Sequence, residues 1–266
     1  MLNFLFIGDI SGKIGRKTVA KLLPQIVKEE KIDFVIANAE NAAHGQGITE
    51  NTLDDLLDAG VNFFTGGDHS FAAKKQLDNI YGGKYPIVRP ANFPPNVPGN
   101  GWALVDVKGY KFLIINLLGR VFMKMDYDCP FRKLDEILAN FSNQKLSGII
   151  VDIHAETTSE KIILGKYVEK RVSAVLGTHT HVPTADANVS ANGMAYITDV
   201  GMVGYADGSI GVEAEGIIET FLTQIKGQHV IPEKGRSIFN AVIINIDPKT
   251  AKAKKIKTIC KFTNIN

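Results

Sequence analysis

The sequence predicts an α/β fold with a mixed sheet, in the form of two sheets packed face to face with helices outside. Apolar runs of strand length alternate with helix-period segments through most of the chain. The first third has a βαβαβ order, and two later regions each contain a pair of strand-like runs separated by a short turn. Alternating strands and helices predict parallel strands with right-handed crossovers, whereas short turns join antiparallel strands.

The first third supplies three strands and two helices. NFLFIGD is predicted to be a buried strand, and GRKTVAKLLPQIVKEE a helix with one apolar face, which Pro24 should shorten or kink. DFVIANAEN and VNFFTGGDH are the next two strands. Between them, Thr49 can cap a helix through NTLDDLLDA, and Gly60 can end it. The carboxyl ends of the three parallel strands should therefore open on one edge of a sheet.

The middle of the chain begins with an irregular loop, residues 88–101, rich in Pro, Gly and Asn. WALVDVKGYKFLIINLLG then predicts a hairpin around Lys108 and Gly109. A helix over 130–140 leads to the strand SGIIVDIH. SEKIILGKYVE is predicted to be a helix with Ser159 as its cap.

RVSAVLGTHTH and MAYITDVGM are predicted as two further strands. Near the end, SIFNAVIINIDPKTAKAKKIKTI predicts an antiparallel pair with its turn at Asp247 and Pro248. Because no linker or internal repeat divides the chain, residues 1–266 are expected to form a single domain.

The composition indicates a protein without a strongly charged surface. The chain has 30 Lys+Arg against 28 Asp+Glu, too balanced for a general nucleic-acid or membrane surface. The late lysines in KTAKAKKIKTICK favour a solvated edge strand over a nucleic-acid patch. Cys129 and Cys260 have no metal-ligand or redox spacing, and no apolar stretch approaches the ~18 residues that cross a bilayer. We therefore expect a cytoplasmic protein that binds neither membranes nor duplex nucleic acid.

Metal-ligand residue types follow five of the predicted strands. A single histidine after a strand is more often structural than a ligand, but the carboxyl ends of strands are where open α/β sheets place their ligand crevice. GTHTH also alternates, so from an extended segment its two histidines would point the same way. The joint pattern favours a metal site, with Asp9, Glu40, Asn41, Asp68, His154, His179 and His181 as candidate ligands and His69 beside them.

The residue types also restrict the metal. Nitrogen and carboxylate ligands without thiolates suit Fe, Mn, Zn, Co or Ni, and they argue against an iron–sulfur cluster or copper. Two ions ~3.5–4 Å apart that share a carboxylate can clamp the attacking and leaving oxygens of a phosphoryl group. Glu40 is the expected bridging carboxylate.

The ordered strings GD, NAEN, GDH, H and GTHTH resemble those of the calcineurin-like metallophosphoesterases. NAENAAHGQGIT, RPANFP, HAETTSEK, GTHTHVPTAD and YITDVGM are more similar still to the bacterial YmdB-like cyclic-nucleotide phosphodiesterases, over nearly the whole chain. The resemblance implies a four-layer αββα sandwich. It also implies a binuclear phosphodiesterase, with iron favoured and manganese or zinc as alternatives. A metal-bound hydroxide would attack 2′,3′-cyclic and also 3′,5′-cyclic nucleotides, and the protein would form a homo-oligomer.

Carried over by position, the resemblance implies a role for each candidate. One ion would be bound by Asp9, Asn41 and His181, and the other by Asp68, His154 and His179, with Glu40 between them. His69 matches the residue that protonates the leaving oxygen or stabilises the transition state. The assignment of His154 depends most on the family. Substrate contacts are further expected, on chemistry and position in loops, from Arg89, Asn92, Arg120 and His44.

The chain departs from the wider pattern at two positions. The superfamily usually opens with Asp-x-His, whereas Ile10 and Ser11 follow Asp9 here, and Asn41 is the expected substitute ligand. The YmdB-like branch has Asn where this chain has Asp68. An ionised Asp68 adds a negative charge, which predicts tighter metal binding, greater tolerance of a trivalent ion and a less acidified bridging water.

Two other functions remain open from the sequence. The same metal core can act as a phosphomonoesterase or an RNA-end nuclease. Alternatively, the chain can be a non-catalytic, metal-dependent regulator that binds a nucleotide. His69 argues against the regulator, because a protein that only binds needs no acid at that position.

Overall fold

Two β-sheets stacked face to face form the centre of the computed structural model, which describes all of residues 1–266. The strands are β1 Leu2–Ile7, β2 Asp9–Ile10, β3 Phe34–Asn38, β4 Phe63–Thr65, β5 Trp102–Val107, β6 Tyr110–Leu118, β7 Gly148–His154, β8 Ala174–Thr178, β9 Asn188–Val189, β10 Ala195–Ile197, β11 Met202–Tyr205, β12 Gly235–Asp247 and β13 Lys252–Ile265. The helices are α1 Gly12–Glu30, α2 Glu50–Asp58, α3 Leu77–Asn79, α4 Pro130–Asn140, α5 Thr158–Val168 and α6 Ala214–Thr223. Two short helical turns, Lys74–Gln76 and Ile80–Lys84, flank α3.

The first sheet contains the predicted parallel unit. β1 pairs in parallel with β3, and β3 pairs in parallel with β4, so their carboxyl ends share one edge. On its other side β1 pairs antiparallel with β12, and β11 pairs with both β12 and β2. β13 pairs only with β12, which makes the lysine-rich segment an edge strand, as its composition predicted.

The second sheet has the order β5-β6-β7-β8-β10-β9. β6, β7, β8 and β10 are parallel, and β5 joins β6 through the predicted hairpin. Lys108 and Gly109 form its turn with positive φ angles of 54° and 81°. No helix in the structure combines the length and the apolar character that a membrane crossing requires.

The side chains of β1 alternate between two hydrophobic cores, and this alternation explains how the layers of the fold pack together. Phe4 and Phe6 point into a core between the two sheets, and Leu5 and Ile7 point into another core beneath α1 and α2. Successive side chains of a strand face opposite sides, so one apolar strand can support both layers. A third core lies between the second sheet and helices α4 and α5. The result is the four-layer αββα arrangement.

Local signals predicted the helix ends with mixed success. Thr49 caps α2 through reciprocal bonds with Thr52, and Gly60 follows that helix with a φ of 104°, both as predicted. Pro24 neither shortens α1 nor divides it, because packed residues before and after the proline hold the helix together. Ser159 lies inside the first turn of α5, and Thr157 is the N-cap residue, so the predicted cap was wrong.

The prediction of one strand over MAYITDVGM was wrong as well. β10 belongs to the second sheet and β11 to the first, and residues 198–201 cross between the two. Gly201 makes the crossing with a φ of 88°, a conformation that favours glycine. Asp199, within the crossing, is completely buried.

Candidate active site

The carboxyl ends of strands from both sheets meet at one cleft. The first sheet supplies Asp9, Glu40, Asn41, Asp68 and His69, and the second supplies His154, His179 and His181. The cleft has a volume of ≈ 310 Å³, and Glu40, Asn41, His69, His179 and His181 are among its lining residues. A larger cavity of ≈ 430 Å³ opens beside Phe141 and Lys252, and none of the candidate ligands lines it.

Four side chains form a compact group of potential ligands. Glu40, Asp68, His154 and His179 each place one nitrogen or oxygen atom within 4.8 Å of the others. The Nε2 atom of His154 lies 3.3 Å from a carboxylate oxygen of Glu40, 3.3 Å from one of Asp68 and 3.0 Å from Nδ1 of His179. Two imidazoles and two carboxylates are a donor set that divalent transition metals accept.

Asp9, Asn41 and His181 lie beside this group. Nδ2 of Asn41 is 2.8 Å from a carboxylate oxygen of Glu40 and 3.3 Å from Nε2 of His181. Asp9 is completely buried, and its Oδ1 atom receives no hydrogen bond. A buried carboxylate oxygen without a donor is costly, and a cation would satisfy it.

Gly67 leaves space between the ligands. A Cβ atom at this position would lie 2.0 Å from Oε2 of Glu40 and 2.5 Å from Nε2 of His154. Divalent metal ions fit this site for three reasons. Gly67 leaves space between the ligands, Oδ1 of Asp9 is buried without a hydrogen-bond donor, and the donor atoms are nitrogen and oxygen.

Gly67→Ala is expected to weaken Mn²⁺ binding by at least about 10-fold, because the added methyl group displaces Glu40 and His154. Calorimetric titration of the chelator-treated protein would measure this change. Gly82→Ala is the matched control, since a Cβ atom there meets no other atom within 4 Å. Unchanged Mn²⁺ affinity in the Gly67 variant would contradict the placement of the metal beside this glycine.

In each of His154, His179 and His181, one ring nitrogen has a polar partner outside the group of ligands. The other ring nitrogen faces the group. Nδ1 of His154 donates to Thr178 Oγ1 at 2.9 Å, because that hydroxyl gives its own proton to Asp152. Nδ1 of His181 donates to the carbonyl of Ile210 at 2.9 Å. Nε2 of His179 lies 3.0 Å from a carboxylate oxygen of Glu156. Such partners fix the tautomer and orientation of metal-binding imidazoles.

His179 and His181 are not part of an extended segment, so that expectation was wrong. β8 ends at Thr178, and the two histidines have φ angles of 101° and 65°. The left-handed region is unfavourable for residues with a Cβ atom, and it persists only where neighbouring contacts impose it. The main-chain N–H of His179 donates to Asp9 at 3.0 Å, which is one such contact.

The buried charges set the protonation states of the cleft. Burial raises the pKa of Glu40, but attraction to His154 and hydrogen bonds from His154 and His69 outweigh it and hold that pKa well below its usual value. Burial and the nearby positive charge of His154 lower the pKa of His179 to about 4. His179 is therefore neutral at neutral pH, whereas, despite its burial, the surrounding carboxylates raise the pKa of His154, which would release its proton on binding a metal ion.

His69 lies in a position from which it could donate a proton. Its side chain is 27% exposed in the cleft, and its Nδ1 atom lies 2.8 Å from Oδ1 of Asn41. Its Nε2 atom lies 3.3 Å from the side-chain amide of Gln46. A hydrogen bond with Glu40 raises the pKa of His69 despite partial burial, which favours the protonated, proton-donating form.

Comparison with known proteins identifies the family of the chain. The family model described as YmdB-like protein matches residues 5–259. The chain belongs to the YmdB-like family. It is 43% identical over 258 residues to the 2′,3′-cyclic-nucleotide 2′-phosphodiesterase of Bacillus subtilis, covering 97% of this chain and 96% of that protein. It is 36% identical over 264 residues to a putative phosphatase/phosphodiesterase of Mycoplasma pneumoniae, covering 97% and 92%.

Solved structures show the same fold. A hypothetical protein from Thermus thermophilus superimposes with a TM-score of 0.88 at 37% identity, covering 98% of this chain and 99% of that one. A novel phosphatase from Mycoplasma pneumoniae gives 0.92 at 34% identity, covering 99% and 94%. A putative 5′-nucleotidase from Staphylococcus aureus, at 14% identity and a TM-score of 0.59, covers 98% of this chain and 54% of that one, and shares the fold alone.

The residues expected to contact substrate do not line the cleft of this YmdB-like protein. The buried guanidinium of Arg89 donates to the carbonyls of its own loop at 2.8 and 3.3 Å. The amide of Asn92, also buried, donates to two backbone carbonyls and accepts a backbone N–H. Arg120 and His44 are exposed outside the lining set. Arg89 and Asn92 of the RPAN string therefore bind backbone groups and organise the loop. The sequence pattern alone does not distinguish this structural role from substrate binding.

Two carboxylates at the candidate site were not predicted from the sequence. Glu156 lines the cleft and contacts His179, and HAETTSEK contained it without any assignment. Asp152 lies beneath the cleft, where Thr65 and Thr178 donate to it at 2.6 and 2.7 Å. Burial raises the pKa of Asp152 to about 7. The signal for Asp152 was its position two residues before His154 on the same face of β7.

Proposed function

We propose that this chain is a metal-dependent phosphodiesterase that hydrolyses cyclic nucleotides, with 2′,3′-cyclic monophosphates as the main class and 3′,5′-cyclic monophosphates as the second. The convergence of Glu40, Asp68, His154 and His179 within 4.8 Å, next to His69 in an open cleft, is the observation that carries the proposal. The name of the Bacillus subtilis relative supports the substrate class.

Two ions would be held by the ligand sets that the family resemblance implies. Asp9, Asn41 and His181 would hold one, and Asp68, His154 and His179 the other, with Glu40 between them. The family resemblance favours iron, with manganese or zinc as alternatives, and a donor set of nitrogen and oxygen accepts all three metals. When bound, such ions lower the pKa of water and neutralise charge on phosphoryl oxygens.

The protein side chains supply proton transfer and orientation. His69 would give its Nε2 proton to the departing ribose oxygen, a poor leaving group that needs an acid. Asn41 accepts from Nδ1 and so fixes the ring. Glu40 accepts the main-chain N–H of His69 at 3.0 Å, which ties the acid to the ligand cluster. A positioned acid of this kind contributes roughly 10²–10⁴-fold to the rate.

Product formation from 2′,3′-cyclic AMP tests the proposal. The purified protein should form a nucleoside monophosphate when Mn²⁺ is added, and a chelator should abolish that turnover. The names of the Mycoplasma relatives favour one second candidate, a phosphomonoesterase, and hydrolysis of p-nitrophenyl phosphate in preference to the cyclic nucleotide would select it. A metal-loaded protein that hydrolyses neither would point to a nucleotide-binding regulator.

Asp68→Asn is expected to weaken Mn²⁺ binding by about 10-fold, because the substitution removes a negative charge from a carboxylate 3.3 Å from His154 and 3.6 Å from His179. Calorimetric titration measures the change. Asp58→Asn, at an exposed residue on α2, is the control for the loss of one surface charge. Equal affinities for wild type and Asp68→Asn would show that the extra carboxylate plays no part in binding.

A further inference from the structure

A buried ion pair lies behind the ligand cluster and contains none of its members. Nζ of Lys161 is 2.7 Å from Oδ2 of Asp199, and neither residue is exposed to solvent. Removing both charges from water is expensive, and a buried pair of this kind is seldom the most stabilising choice for a core. Its presence therefore calls for a role other than stability.

Lys161 reaches Asp199 by crossing the end of β8. The lysine starts on α5, and its stem passes over Gly177, where a Cβ atom would lie 2.9 Å from Cδ of Lys161. The same Cβ atom would lie 1.7 Å from the carbonyl oxygen of Thr198. The glycine two residues before His179 thus provides the passage by which the ammonium reaches the carboxylate.

Asp199 accepts hydrogen bonds from the segment that contains His179 and His181. Its Oδ2 atom accepts both the main-chain N–H of Thr180, at 3.1 Å, and the hydroxyl of Thr180, at 2.7 Å. Thr180 is the residue between His179 and His181, whose left-handed φ angles need external support. The ammonium of Lys161 donates to the same oxygen at 2.7 Å, so Asp199 stays fixed beneath that segment.

The same carboxylate is also connected to the first sheet. Its Oδ1 atom accepts the N–H of Gly201 at 2.8 Å. The carbonyl of Gly201 in turn accepts the N–H of Asp9 at 3.1 Å. One side chain in the crossing between the sheets therefore sets the position of the backbone on both sides of the cleft.

We propose that Lys161 and Asp199 form a positioning pair that fixes His179 and His181 relative to Asp9, and that metal affinity depends on it. The inference rests on the proposed metal-dependent function. Neither residue lines the cleft or belongs to the group of potential ligands, so the pair acts through Thr180 and Gly201. Supporting contacts of this kind are typically worth 10–100-fold in metal affinity.

The first test substitutes Thr180, which leaves the buried pair in place. Thr180→Val removes the hydroxyl bond to Asp199 and should weaken Mn²⁺ binding by about 10-fold, measured by calorimetric titration of the chelator-treated full chain. Thr180→Ser keeps the hydroxyl and should restore the wild-type affinity. Equal affinities for the Val and Ser variants, at wild-type stoichiometry, would overturn the proposal.

The second test removes both charges together, so that no charge is left buried alone. Lys161→Met/Asp199→Asn should lower Mn²⁺ affinity at least about 10-fold while circular dichroism remains native. Arg171→Met/Asp135→Asn, at an exposed pair with a 2.6 Å contact, is the matched control and should bind like wild type. A natively folded Lys161/Asp199 double variant with wild-type affinity would refute the positioning role. Failure of the wild type itself to bind Mn²⁺ would instead refute the proposed function.

Discussion

His69→Ala is expected to lower kcat for 2′,3′-cyclic AMP by roughly 10²–10⁴-fold and to leave Mn²⁺ affinity within about threefold of wild type. The reason is that His69 lies outside the compact group of ligands and offers a proton to the leaving oxygen. Loss of an interaction made only in the transition state lowers kcat and kcat/KM together. Steady-state kinetics with a parallel metal titration would measure both quantities.

Activity toward a substrate with a good leaving group distinguishes the loss of a general acid from a general disruption of the active site. Bis-p-nitrophenyl phosphate expels a phenolate that needs little protonation, so His69→Ala should lose much less activity toward it than toward the cyclic nucleotide. His229→Ala is the matched control, because His229 also lines the cleft but is not one of the candidate ligands. Equal losses of activity toward the two substrates would exclude His69 as the acid.

Glu40→Gln is expected to have the largest effect on the metal, weakening Mn²⁺ binding by at least about 100-fold and abolishing turnover. Glu40 is 1% exposed, and one of its oxygens lies 3.3 Å from His154. The amide keeps the volume of the side chain but removes the charge that balances the cations. Metal content of the purified protein, together with calorimetric titration, would show this loss.

An exposed glutamate provides the control for Glu40. Glu136→Gln removes a charge at an exposed residue of α4 that does not line the cleft, and this variant should retain metal and activity. Retention of wild-type metal content by a folded Glu40→Gln protein would show that this carboxylate is not a ligand, and the placement of both ions would need revision.

Much of the fold follows from local pattern. The βαβαβ order, the hairpin at Lys108 and Gly109 and the cap at Thr49 could be predicted, because periodicity and turn chemistry act over a few residues. The shared edge of β1, β3 and β4 then follows from the parallel pairing that strand–helix–strand units produce. The pattern of strand ends therefore indicates candidate ligands, whereas their division between two ions and the assignment of His154 depend on the family resemblance.

The features that short sequence patterns do not predict have a common physical cause. MAYITDVGM is apolar enough for one strand, and only the second sheet decides that the chain changes partners at Asp199. The φ angles of His179 and His181 depend on contacts from Asp9 and Asp199, which are distant in sequence. The guanidinium of Arg89 is bound by carbonyls of an irregular loop. Each outcome depends on tertiary contacts that no short window of sequence contains.

The position of β12 has a consequence for biosynthesis. β1 lies between β3 and β12, so residues 2–7 pair with residues 241–246. The ribosome makes Asp9, Glu40 and Asp68 long before their sheet can close, and pairings of such long sequence separation form slowly. During that interval the acidic side chains and an unpaired strand edge stay open to solvent. Metal capture should therefore be among the last events of maturation, and ribosome-bound chains halted before residue 235 should not retain the ion.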